Sequence, residues 1–153
     1  MTELIPTINE IVKYGLESNL TTPLKEKELE KHLVKIYSLY FDIEFKFDEK
    51  NYPDIEKTEY AYIRKNVTSN FKDFGFYKKV SNIEVIDNLN DNIISGALDD
   101  LTDIIYDLLE IKLRIENNSI ADGLWFFELI FYSHTQQHIL DLLKYMKQRN
   151  YLD

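Results

Sequence analysis

Apolar residues recur at helical spacing in five separate stretches of the chain. Leu4, Ile5, Ile8, Ile11, Val12 and Leu16 share one face of a helix over about residues 3–18. Thr22-Pro23 then reads as an N-cap followed by proline at the first helical position. The second helix runs from there to about Asp42, with Leu29, Leu33, Ile36, Tyr37 and Tyr40 as its stripe. Over residues 43–56 the period changes. Ile43, Phe45 and Phe47 alternate with charges in a strand-like pattern, too short to commit to a sheet and closed by Pro53. A third helix over about 57–72 places Tyr60, Ile63, Val67 and Phe71 in register. Phe74, Phe76 and Tyr77 cluster around Gly75 and are expected to pin the next loop to the core. Residues 81–92, rich in Asn and Asp, read as an irregular connection.

The fourth helix covers about 93–116 with a broad apolar face from Ile94 to Ile115. Asn117-Asn118 breaks it, and Ser119 with Asp122 three residues on predicts a new N-cap. The fifth helix runs from about Ile120 to Arg149. From Leu124 to Tyr132 it is apolar almost all the way round, which marks a buried, central helix. Trp125, Phe127 and Phe131 are therefore expected in the structural core. Together these elements predict an all-α fold, a compact antiparallel bundle of about five helices with the C-terminal helix at its centre. They form a single domain over residues 1–153, without internal repeat or low-complexity tract. Only four glycines and three prolines interrupt it.

Composition narrows the chemistry. The absence of cysteine removes disulfides, thiolate nucleophiles and Cys-based zinc sites. The first residues show no basic segment followed by an apolar run, and no stretch approaches about 20 apolar residues. A cytoplasmic protein is the resulting expectation, with no membrane partner, and the richness in Ile, Asn and Lys suggests a bacterial source. Net charge is −9. Residues 81–128 hold eleven acids against two bases, Lys112 and Arg114, which accounts for the whole excess. Such a surface excludes nucleic acid, whose phosphates need a positive face. It suits a basic protein partner or a cation, or it simply keeps the chain in solution.

Of the three histidines, His32 flanks the stripe of the second helix and looks like a boundary residue. His134 and His138 stand four apart, so they stack on one face. At about 100° per residue that line also holds Phe127, Phe131, Leu142 and Tyr145, which predicts a buried pair. The short break at 117–118 makes the fourth and fifth helices antiparallel neighbours. Facing residues should then have numbers that sum to about 235, so His134 lies level with Leu101, His138 with Ala97, and Asp107 with Glu128. Asp100 and Asp103 come within about a turn of His134, and Asp100, Asp103 and Asp107 share one side of their helix. Three readings follow for this set. It is a nitrogen/oxygen site for a divalent metal, a His–Asp general base near Ser133, or a hydrogen-bonded network that fixes helix register. HxxxH here lacks the Glu of a zinc-protease helix, and no glycine-rich phosphate loop is present.

The acidic run Asp99-Asp100-Leu101-Thr102-Asp103-Ile104 to Asp107-Leu108, then Ala121, Trp125, His134-x-x-x-His138 and Leu142, resembles a bacterial family catalogued as domain of unknown function number five thousand and sixty-three. Ile63-Arg64 to Phe74-Gly75-Phe76-Tyr77 is similar to that family's middle segment. The resemblance covers about residues 25–148. It matches Asp100, Asp103, Asp107, Trp125, His134 and His138. It departs at Ile105-Tyr106, where the family has an aromatic residue and a base, and at Thr135-Gln136-Gln137, where it has a Trp-Gly pair. The resemblance implies an all-helical fold and no assigned activity.

Two functions are consistent with all this. One is an interaction or regulatory module whose acidic face meets a basic protein. The other is a metal-binding protein or hydrolase centred on His134 and His138 with Asp100 and Asp103. No cofactor beyond a divalent metal is implied. Access from solvent to the histidines favours the second, and burial beneath Trp125 and Phe131 favours the first.

Overall fold

A computed structural model describes residues 2–152, with side chains through residue 149. Leu4, Ile8, Ile11 and Val12 bury one face of α1 (Leu4–Leu16). Leu29, Leu33 and Ile36 do the same for α2 (Lys25–Tyr40), and Ile63 and Val67 for α3 (Tyr60–Asn70). Asn70 closes the end of α1. Its amide nitrogen donates to the carbonyls of Tyr14 and Glu17 at 2.9 and 2.7 Å, and its oxygen accepts from Leu20 N at 2.8 Å. That satisfies carbonyls a helix end leaves open.

The centre of the molecule is α4 (Ala97–Asn117). Ala97, Leu101, Ile104, Ile105, Leu108 and Ile111 are wholly buried. This helix packs against α1, α3, α5 (Ile120–Ile130) and α6 (Gln136–Leu152). The predicted central C-terminal helix is thus corrected. The fourth helix sits in the middle because its apolar face is broad enough to meet several neighbours. The fold is mostly helical, but it is not all-α. Strands β1 (Phe76–Lys79) and β2 (Ile93–Gly96) form an antiparallel ribbon, with Phe76 opposite Gly96 and Lys79 opposite Ile93. This pairing claims the residues expected to begin the fourth helix, which starts at Ala97.

Two further boundaries differ from expectation. Thr22 does not cap α2. Leu24 precedes the helix in the left-handed region (φ 51°, ψ 39°), and Pro23 stands outside the first turn. The third helix begins at Tyr60 instead of about 57. Residues 43–56 form neither strand nor helix, since no partner strand lies alongside. That segment is tethered where Ser119 Oγ and Tyr52 Oη donate to Asp48 at 2.5 and 2.7 Å, and these bonds hold its carboxyl at a pKa of about 2. Ser119 itself caps α5, accepting from Asp122 N at 3.0 Å, as the sequence indicates.

The expected single fifth helix is interrupted by a π-helical turn, Phe131–Thr135, between α5 and α6. The buried stripe explains it. Phe127, Phe131, Thr135 and Ile139 are all fully buried. Three successive steps of four residues would rotate a regular α-helix by about 120°, off the core. The wider turn absorbs that drift. Trp125 is not part of this core. It is half-buried, whereas Phe127 and Phe131 are wholly enclosed. Among the described residues no helix is long and apolar enough to cross a membrane.

Candidate metal centre

The π-helical turn decides where the histidines point. Thr135 and Ile139 take the buried positions that a regular helix would give to His134 and His138. The pair moves to the flank, and the expectation of burial is corrected. The His134 side chain is 45% exposed and that of His138 22%.

Each ring meets a carboxylate from α4. His134 Nδ1 lies 2.7 Å from Asp107 Oδ2, and His138 Nδ1 lies 2.8 Å from Asp100 Oδ1. The partner of His134 is therefore Asp107, not Asp100 or Asp103 as the sequence register suggested. Facing residues sum to more than 235. Side chains on both antiparallel helices lean toward their own N-termini, and the π-helical turn adds a residue. Asp100 and Asp107 are buried and doubly used. Tyr77 Oη donates to Asp100 Oδ2 at 2.5 Å, and Thr135 Oγ1 donates to Asp107 Oδ2 at 2.7 Å. Burial pushes the Asp107 carboxyl above its ordinary value, partly offset by the bonds from His134 and Thr135.

A carboxylate accepts only, so each imidazole carries its proton on Nδ1 and turns Nε2 outward. The two Nε2 atoms are 3.2 Å apart, with ring centroids at 4.6 Å. Asp103 Oδ2 lies 3.6 Å from His138 Nε2, and Tyr60 Oη donates to Asp103 Oδ1 at 2.8 Å. One ligand atom from each of Asp103, His134 and His138 falls within 4.8 Å of the other two. Two nitrogens bound about 2.0–2.1 Å from one ion stand about 2.9 Å apart at a right angle and about 3.3 Å at the tetrahedral angle. The observed separation lies between these.

Electrostatics favour positive charge here. Burial opposes protonation of His138, but its bond to Asp100 and the charges of Asp103, Asp100 and Asp107 outweigh burial and raise its pKa. Tyr77 and Tyr60 are raised too, by burial first and then by Asp100 and Asp103, so both phenols remain donors. Ser133 is not part of the cluster; its hydroxyl donates to Leu129 O at 2.7 Å.

Asp100, Asp103, Asp107, His134 and His138 come together as their spacing in the sequence suggests. Thr135, Tyr60 and Tyr77 join them unannounced by the sequence. Thr135 is hidden because at about 100° per residue the stripe passes through His134 instead. The tyrosines carry no local signal. The acidic stretch does not form one solvated stripe. Asp99 pairs with Arg64, Glu110 with Lys57 and Arg114, and Asp122 with Arg114. The chain matches no protein-family model, no curated protein and no solved structure.

Proposed function

We propose that this protein binds a divalent transition metal through His134 Nε2, His138 Nε2 and a carboxylate oxygen of Asp103. The observation that carries the reading is the pair of Nε2 atoms 3.2 Å apart, each on a ring whose Nδ1 is held by a buried carboxylate. Carboxylate–histidine support of this kind orients metal ligands and raises their basicity. Asp107 and Asp100 are the positioning residues, with Thr135 and Tyr77 holding them in turn. Two nitrogens and one oxygen suit Zn, Fe or Mn, and solvent exposure at His134 leaves room for a further ligand. When bound, the ion would supply a Lewis acid open to solvent. The π-helical turn that carries His134 supports the reading, because such turns recur at functional sites.

The test is metal content and affinity by titration of chelator-stripped protein. His138→Gln and His134→Gln should each abolish stoichiometric binding, and Asp103→Asn should weaken it. Asp100→Asn should weaken binding by about 10–100-fold, the usual effect of removing an orienting partner. Binding unchanged in both histidine variants would end the proposal.

A second reading, an interaction module for a basic protein, draws support from the loop between β1 and β2. Ile83, Ile86 and Leu89 are 84–88% exposed there, beside Glu84 and Asp87, which form no ion pair among the described residues. Changing all three apolar residues to Ser should leave fold and metal content intact and remove chemical cross-links to a basic partner. Cross-linking that survives the change would count against it.

A further inference from the structure

A second feature lies on the outer face of α5 and owes nothing to the metal reading. Between the end of α2, the segment after it and α5 runs a groove of about 540 Å³. Tyr40, Phe45, Trp125, Leu129 and Tyr132 line it, together with Glu128. A volume of this size lies within the range of small-molecule sites.

Two of the walls rest on aromatic neighbours. Tyr40 stacks on the buried Phe131 with centroids 4.6 Å apart and an interplanar angle of 23°. Trp125 meets Phe47 edge-on at 6.2 Å and 78°. The side facing solvent stays uncovered, since Leu129 is 53% and Tyr132 74% exposed. Glu128 is the one charged residue in the lining, and it has no ion-pair partner among the described residues. Its charge is felt across the groove. Burial first, then Glu128 and Tyr132, raise the pKa of the Tyr40 phenol.

Ligand classes can be sorted by this chemistry. An anion would face an unpaired carboxylate on a chain of net charge −9. A neutral apolar ligand would leave that exposed carboxylate unused. A primary ammonium is strongly hydrated and needs several acceptors. An alkylated ammonium is weakly hydrated, attracted to aromatic faces, and balanced by one carboxylate. We propose that this groove binds an organic cation of the quaternary-ammonium class, with Tyr40, Phe45, Trp125 and Tyr132 around the alkylated nitrogen and Glu128 as counter-charge. The groove is larger than a trimethylammonium head alone and has room for the chain that carries it.

Trp125 is the only tryptophan, so its fluorescence reports on this site directly. The experiment titrates the full chain with choline and, separately, with its neutral isostere 3,3-dimethylbutan-1-ol, at constant ionic strength. Saturation transfer from protein to the ligand's methyl protons is recorded in parallel, so that a silent fluorophore does not decide the result. The expected result is saturable choline binding, with the alcohol about 10-fold weaker or more. Glu128→Gln, an exposed substitution, should reduce choline binding by a similar factor and leave the alcohol unchanged. Tyr132→Ala should weaken choline while the circular dichroism spectrum stays constant. Equal binding of choline and alcohol would overturn the proposal in favour of a purely apolar groove. So would the absence of saturation in both readouts, or choline binding indifferent to Glu128→Gln.

Discussion

Gly123→Ala reports on the approach of α4 to α5, which sets the level of the carboxylates against the histidines. In the interior of an ordinary helix this change stabilises by up to about 1 kcal/mol, because alanine loses less backbone freedom on folding. At Gly123 a Cβ would lie 2.2 Å from Ile115 Cγ1, 2.9 Å from Ile115 N and 3.2 Å from Ile111 O. The Ile115 side chain can rotate away. The two backbone atoms can retreat only if the helices separate, and overpacking of this kind costs about 1–3 kcal/mol. The clash outweighs the propensity gain, and a net destabilisation of about 1–2 kcal/mol is expected. Urea denaturation followed by circular dichroism measures it. Gly75→Ala is the control, since among the described residues only Tyr145 Oη, at 3.9 Å, comes within 4 Å of a Cβ there, and its effect should stay within about 0.5 kcal/mol. Stabilisation by Gly123→Ala would refute the close packing of the two helices.

Phe131→Ala should cost about 3–5 kcal/mol, the usual effect of deleting a large buried aromatic, and Trp125→Ala clearly less, because Trp125 is half-buried; the reverse order in denaturation would contradict the placement of the core. In chelator-stripped protein the melting temperature should fall as pH rises above about 6.5. His138 has a raised pKa when folded, so its contribution is complete below about pH 6.5 and is lost as pH rises through the folded value; Asp107, raised mainly by burial, contributes in the same direction at lower pH. His138→Gln should flatten this fall, and a stripped protein that gains stability over the same range would be inconsistent with the carboxylate setting of the pair. Metal-loaded protein should show the opposite slope, since ligands must lose protons to bind.

Much of the fold is legible in the sequence because helical periodicity is local. Leu29, Leu33 and Ile36 identify α2 without reference to any other element, and Ser119 with Asp122 marks the start of α5. What depends on distant partners is not legible. Ile93–Gly96 form a strand only because Phe76–Lys79 lie alongside, while Phe45 and Phe47 show a strand pattern and find no partner. The candidate site divides the same way. The spacing of His134 and His138, and of Asp100, Asp103 and Asp107, puts each set on one helix face. Which carboxylate meets which ring depends on side-chain lean and on one π-helical turn. That turn needs three-dimensional packing to reveal it, because a strict 100° rotation places His134, not Thr135, in the core.

The most direct test of the central claim is the stoichiometry of metal on protein purified without an affinity-tag metal, measured by elemental analysis beside the His138→Gln variant. About one equivalent of Zn, Mn or Fe is expected on the natural chain, with none on the variant. Chelator should lower the melting temperature of the first alone. A chain that takes up no stoichiometric metal even when loaded, and whose melting temperature ignores chelator, would contradict the claim. It would leave His134, His138 and their carboxylates as a network that holds α4 against the C-terminal helices.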